Sequence, residues 1–427
     1  MKKAWSKKMA GITAAVAAAV FLSGNSIWAA PMELTLEQSI NLALKQNPSI
    51  EISQAQLEGS VADVNKAKGA FGPSLKLSAS GTLLDEAAST SGSRESYSNS
   101  LSLSLPLYSG GALEGGLGQA KANRTFYSLG LDKTRQQLAL DVTTAYYNIL
   151  QAQALVKLSE ESLANTQSHV NNTQAFFEAG TVPKSDVLRS EVELAQVKQD
   201  LIKAQNSYYL AIASFNNLLD IEHNDELVLK DLLTYVKRDI SLEEAMQKAL
   251  LQRPEIKQGE AQFQAAEYGV MAAKSGKKPS LDLSGNLGWR DANFPPEDKS
   301  WSVTVSAGFN IFDSNVTNSA IKKAQSGKQE TKVSLEKTKN DVKLEVRQTY
   351  LNIKEAEERI NTAIKAQEKA EEDLKIAQVR YSAGVGTNIE VLDSQVALTE
   401  ARTNYTAALF DYNVGLAKLR KATGETI

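Results

Sequence analysis

The chain has 427 residues, 42% of them hydrophobic, with 47 Lys and Arg against 50 Asp and Glu and no cysteine. The missing cysteines exclude disulfides, thiolate metal sites, a cysteine nucleophile and an N-terminal lipid-modified cysteine. A formal net charge of −3 offers none of the basic surface that nucleic acid requires, so nucleic acid is not an expected partner.

Residues 1–29 read as a signal peptide. Lys2, Lys3, Lys7 and Lys8 precede an apolar run from Ala14 to Leu22, and the small residues Ser23, Gly24 and Ala29 follow. The run is too short to span a bilayer comfortably, which favours export over anchoring. Cleavage is expected near Ala29 and removes four lysines from an already acidic balance. Beyond it no apolar stretch of about 20 residues remains, so no transmembrane helix is expected.

The remainder is a tandem repeat. Residues 30–220 form the first structural repeat, 221–240 a linker and 241–427 the second. Thr35-Leu-Glu-Gln38 and Ser241-Leu-Glu-Glu244 have the spacing of capping boxes, and each opens a short helix that ends before Pro48 or Pro254. Pro48 and Pro254 lie 206 residues apart, as do Pro73 and Pro279. Tyr108 and Phe312, Gly180 and Gly384, and Leu188 and Leu392 lie 204 apart. The two-residue difference falls in the Ser/Gly-rich stretch 87–93, which marks an exposed loop tip. Each repeat therefore reads as helix, β-hairpin, long helix, turn and shorter helix.

The hairpins span 74–108 and 280–312. Leu75, Leu77, Ala79 and Leu83 alternate with Lys76, Ser78, Ser80 and Thr82, and Leu101, Leu103, Leu105 and Leu107 form the returning strand. In the second repeat Leu281, Leu283, Leu287 and Trp289 precede Trp301, Val303, Val305, Ala307, Phe309 and Ile311, again at every second position. Strands of about ten residues with period two have the length and pattern of membrane β-barrel strands. Alternation by itself equally allows a half-buried soluble sheet. In lipid, four strands cannot close, and an open edge is not tolerated, so the membrane reading requires several copies; three give about twelve strands.

Pro73, Pro106, Gly110, Gly111 and Pro279 are assigned to the strand–helix junctions, where the two glycines supply backbone freedom. The long helix of the second repeat carries Val342, Val346, Thr349, Ile353, Ala356, Ile360, Ala363, Gln367, Ala370, Leu374, Ala377 and Tyr381, a heptad seam. Its length of about 100 Å, at 1.5 Å per residue, exceeds any compact domain. Seams rich in Ala, Thr and Gln suit narrow contacts in a wall one helix thick. Gly180, Gly384 and Gly386 mark the tip turns. His169 and His223, the only histidines, have no metal-like spacing and are expected to be solvent-exposed. No catalytic triad or phosphate-cradling loop is present, so neither an enzyme nor a cofactor is expected.

Tyr381-Ser-Ala-Gly-Val-Gly-Thr-Asn-Ile-Glu-Val-Leu-Asp393, Leu105-Pro-Leu-Tyr-Ser-Gly-Gly111 and the twice-used opening Leu-Glu-x-x-x-x-x-Ala-Leu-x-x-x-Pro, at Leu36 and Leu242, resemble the TolC-like outer-membrane efflux proteins (outer membrane factors) over essentially the whole chain past residue 29. The resemblance implies a mainly α, channel-tunnel fold: a trimeric 12-stranded β-barrel in the cell outer membrane, continued by an α-helical barrel into the periplasm. It implies a homotrimer working with a periplasmic adaptor (membrane fusion) protein and an inner-membrane transporter of RND or ABC type, as a passive exit duct for an efflux pump or type I secretion system. By the same resemblance Glu390 and Asp393 line the periplasmic entrance constriction, and Tyr381 links the inner helical pair to its neighbour through Ser185 and Asp186. Helix N-terminal acids that simply oppose the macrodipole would be placed alike. Some family members carry an arginine at the position of Gly386, and this chain does not. The alternative function is a non-conducting periplasmic spacer or outer-membrane tether.

Overall fold

The computed structural model describes residues 32–83, 85, 94–222 and 227–425. The signal peptide, the stretch 87–93 and His223 lie outside them. In chain order the elements are β1 (Met32–Leu34), α1 (Leu36–Gln46), α2 (Pro48–Gly69), β2 (Ser74–Leu83), β3 (Glu95–Tyr108), α3 (Ala112–Glu178) and α4 (Lys184–Leu219). There follow β4 (Leu227–Leu229), α5 (Leu242–Gln252), α6 (Pro254–Lys274), β5 (Ser280–Asp291), β6 (Asp298–Gly308), α7 (Val316–Ser382) and α8 (Asn388–Thr423). Helices α3 and α7 each have 67 residues, α4 and α8 each 36, and α1 and α5 each 11.

The short helices start where their caps dictate. Thr35 and Gln38 exchange both bonds of a capping box. At Ser241 only the hydroxyl half forms, accepting from the Glu244 N–H at 3.4 Å. The reciprocal bond from the Glu244 carboxylate to the Ser241 N–H is not among those formed, so the full box expected there is not made. The end of α4 meets the start of α2: Asn47 and Gln46 donate to the carbonyls of Leu218 and Leu219 at 2.9 and 2.6 Å. The end of α8 meets the start of α6 in the same way, with Gly424 packed on the backbone of Gln252 and Arg253. Each 67-residue helix thus runs beside two helices stacked end to end.

Along α7 every seam residue is buried except Gln367 and Ala370, which are half-buried. Ile353 and Ile360 are completely covered and pack with Tyr412, Leu409 and Ala408 of α8. Each contributes roughly 1.5–3 kcal/mol by burial alone. The first repeat builds the matching cluster from Val142, Tyr146 and Ile149 of α3 with Phe215 and Leu219 of α4.

The four long strands form one antiparallel sheet in the order β2-β3-β5-β6. Its register aligns Leu77 with Leu101, Leu101 with Leu287 and Leu287 with Trp301, and one step away Lys76 with Ser102, Ser102 with Asn286 and Asn286 with Ser302. One face is therefore a ladder of apolar side chains and the other a ladder of polar ones. Leu75, Leu77, Trp301, Val303 and Val305 are all at least 60% exposed, and among the described residues β2 and β6 are each paired on one side only. Strand β6 ends at Gly308, short of the alternation that continues through Phe309 and Ile311, because its partner β5 begins at Ser280, opposite Gly308. Pro106 lies inside β3, opposite Asp282, and the register shifts directly after it, between Pro106 and Tyr108, as suits a residue that cannot donate to the ladder.

The sequence pattern did not announce β1, which pairs in parallel with β4. The linker beyond β4 is fastened to both repeats: Tyr146 donates to the Asp231 carboxylate at 2.8 Å, and Tyr412 donates to the Val236 carbonyl at 2.9 Å. No helix among the described residues is long and apolar enough to cross a membrane.

Candidate functional site: the helical tip

Both long helices end in the same motif. After α3, Gly180 has a φ of 72°; after α7, Gly384 has a φ of 73°. Gly180 N–H donates to the Phe177 carbonyl and Thr181 N–H to that of Phe176, and Gly384 and Val385 bond Tyr381 and Arg380 in the same pattern. This is a Schellman motif, which needs a left-handed residue that glycine supplies without a Cβ penalty.

The second turn continues with Gly386, whose N–H donates to the Arg380 carbonyl at 3.0 Å. A Cβ there would lie 2.9 Å from Tyr381 N and 3.0 Å from the Arg380 carbonyl carbon. An arginine at this position would force the helix end to move. Positive charge is supplied six residues earlier instead, since Arg380 stands 3.8 Å from the Glu390 carboxylate. That pair is roughly half-exposed on both sides and contributes little stability. Glu390 is also the reciprocal member of the capping box on Thr387, receiving the Thr387 N–H at 3.3 Å. Asp393, one turn further along α8, is exposed.

Behind these acids lies a buried polar chain. The Tyr381 hydroxyl donates to Thr173 Oγ1 at 3.2 Å, and the Thr173 hydroxyl donates to the His169 carbonyl at 2.9 Å. The Tyr381 ring packs against Phe176 and His169. Burial, with a smaller contribution from the Asp186 charge, raises the Tyr381 hydroxyl above its ordinary range despite the opposing bond to Thr173. Asn388, in the first turn of α8, donates to the Asp186 carbonyl at 3.1 Å and accepts from Ser190 at 3.1 Å and from His169 Nε2 at 2.6 Å. Because its amide nitrogen is committed to Asp186, its oxygen fixes His169 Nε2 as the donor. Asn388 therefore ties α8 to both α3 and α4. Within the chain the partner of Tyr381 is Thr173; Asp186 takes part through its backbone, and Ser185 is exposed.

His169 corrects the expectation of a solvated side chain: it is 6% exposed. Burial lowers its proton affinity, and the Asn388 bond opposes that only partly. The signal was its spacing. Thr166, His169, Val170 and Thr173 are all buried, and their 3-4 periodicity continues a seam whose polar composition disguised it. Farther from the tip, Arg402 of α8 joins Glu161 of α3 at 2.9 Å and Glu371 of α7 at 2.7 Å.

At the other end of α3 the strand-to-helix bend uses Gly110 and Gly111 at φ of 65° and 103°, and the second repeat uses Ser314 and Asn315 at 51° and 69°. Pro73 and Pro279 immediately precede β2 and β5.

The model of the family described as "Outer membrane efflux protein" matches residues 39–219 and again 245–425, once for each repeat. This chain belongs to the outer membrane efflux protein family. It is 23% identical over 418 residues to Outer membrane protein TolC of Escherichia coli (strain K12), covering 91% of this chain and 82% of TolC. It is 30% identical over 403 residues to Protein CyaE of Bordetella pertussis (strain Tohama I), covering 92% and 84%. A solved structure of CusC superimposes with a TM-score of 0.83 at 18% identity, over 95% of this chain and 96% of CusC. Like other outer membrane efflux proteins, the chain resides in the outer membrane and serves transport, and its relatives are channel proteins rather than enzymes. The helical tip lies at the end of α3 and α7 remote from the apolar-faced sheet.

Proposed function

We propose that the chain is a passive exit duct: three copies close their sheets into a 12-stranded barrel in the outer membrane, and their helices line a water-filled shaft into the periplasm. The observation that carries this reading is the sheet itself, with one exposed apolar face and, among the described residues, two unpaired edges. In lipid neither edge can stay open, and pairing β6 of one copy with β2 of the next satisfies both. A signal peptide over residues 1–29 precedes two repeats, 30–220 and 241–427, joined by 221–240. An inner-membrane transporter of RND or ABC type and a periplasmic adaptor supply the energy and open the tip. The duct carries out no catalysis and holds no cofactor.

At the tip, three chains present rings of Glu390 and Asp393, and Tyr381 with Ser185 and Asp186 links neighbouring helical pairs. Closely spaced carboxylates attract cations. Purified protein in planar bilayers is expected to show discrete single-channel conductance; a spacer or tether would show none. Glu390→Ala combined with Asp393→Ala is expected to weaken block by multivalent cations added on the periplasmic side, and unchanged block would remove these two residues from the entrance.

A further inference from the structure

Between the linker, α3 and α8 lies a cavity of about 220 Å³. Thr234 and Arg238 of the linker, Asn413 and Arg420 of α8 and Tyr147 of α3 line it, and no carboxylate does. Both arginines also line an adjoining groove of about 310 Å³, whose walls include Asp239, Glu244 and Glu425. Glu425 is taken there by Lys248 at 2.9 Å. Neither guanidinium has an ion-pair or hydrogen-bond partner among the described residues. Two cations that share a cavity without a counter-charge repel each other, and both gain when an anion lies between them.

The remaining groups fit the same guest. Arg238 is presented by a fixed backbone, since its N–H donates to the Tyr412 hydroxyl at 3.2 Å. Both arginines are exposed and Tyr147 is half-buried. The Tyr147 hydroxyl has no partner among the described residues and is not sealed from solvent. Burial and the Asp231 charge raise that hydroxyl, and the charges of Arg420 and Arg238 oppose them, which places both guanidiniums near it. It therefore stands as a third donor. The Asn413 amide nitrogen is committed to the Thr234 and Leu409 carbonyls at 3.0 and 2.8 Å, which leaves its oxygen as an acceptor for a P–OH or an alcohol. The volume is below that of drug-sized sites, so the guest is small.

We propose that this cavity binds a phosphate dianion, free or as the monoester of a small alcohol, with its oxygens on Arg238, Arg420 and Tyr147. Bound there, the anion ties the linker to both repeats. The site lies apart from the Glu390 and Asp393 entrance and does not rest on conduction through the duct.

The test is calorimetric titration of the full chain, purified in detergent at fixed ionic strength, with inorganic phosphate and in parallel with glycerol 3-phosphate. Saturable binding at one site per chain is expected, about tenfold weaker in R238Q and in R420Q and several-fold weaker in Y147F. Tighter binding of the glycerol ester identifies the guest as a monoester, and equal or tighter binding of inorganic phosphate identifies the free ion. Neither arginine variant breaks a side-chain bond within the protein, so without phosphate both should melt no lower than the parent, and lost binding cannot be laid to unfolding. Absence of saturable binding of both compounds overturns the proposal. So does equal weakening by R347Q, an exposed arginine of α7 outside the cavity, which reduces the effect to general charge attraction. Loss of binding in K248Q with R238Q and R420Q unaffected places the anion in the adjoining groove and overturns the assignment.

Discussion

Gly180 and Gly384 lie 204 residues apart and close the same motif, yet the helices that follow them start by different means. Helix α8 starts under its own sequence, with Thr387 and Glu390 satisfying each other's backbone N–H groups. Helix α4 starts at Pro183, which offers no side-chain cap. Its first turn is held from outside, through the Asn388 amide on the Asp186 carbonyl. The comparison teaches that order at the first turn depends on the second, whereas the second is largely self-sufficient. The two repeats thereby differ in how they hold the tip.

The largest expected effect comes from cutting that dependence. Asn388→Ala leaves the buried His169 Nε2–H without its acceptor and removes the inter-helix donor to the Asp186 carbonyl, which keeps only the Ser190 hydroxyl of its own helix among side-chain donors, at a cost of about 2–3 kcal/mol. Hydrogen exchange should rise over residues 165–190 far more than over 384–400. Equal loosening of both turns would break the comparison.

Acid should act on the same joint more gently. Burial holds His169 below the ordinary imidazole value of about 6.5, so the unfolded chain takes up that proton first as pH falls. The stabilisation by neutral His169 is complete above about pH 6.5 and is lost as pH drops from there through the folded-state value. Thermal melts of the parent and of His169→Gln across this window should converge at low pH. Parallel curves would show that another group titrates.

The smallest effect separates the two starts directly. Thr387→Ala should cost about 1 kcal/mol of stability and Pro183→Ala close to nothing, because only the threonine caps its helix with a side chain. Denaturant midpoints in detergent would read the difference.

Much of this architecture was legible because it is written as spacing. The α7 seam, the alternating strands and the 204- and 206-residue offsets are periodicities that survive without knowledge of partners. Functional detail at the tip was less so. His169 is a single polar residue in a polar helix, and only its place between Thr166 and Thr173 marks it as internal. Asn388 follows a turn whose glycines draw the eye, and its importance lies in contacts with helices some 200 positions away. Ser314 and Asn315 adopt left-handed backbone that Gly110 and Gly111 advertise openly in the first repeat. The end of β6 was set by where its neighbour begins, which no pattern within β6 could disclose.

On the proposed barrel, the two margins of the sheet that are unpaired among the described residues also bear on how the molecule reaches its destination. A solitary copy entering the bilayer would expose two rows of peptide groups to hydrocarbon, each unmet group costing several kcal/mol. For the proposed three-copy barrel, insertion and association would therefore be a single step, with a steep dependence on subunit concentration. In the proposed barrel, a copy bearing a proline in β2 or β6 would interrupt the ring around it, so a minor fraction of such chains in the same cell should poison export well beyond their share of the population.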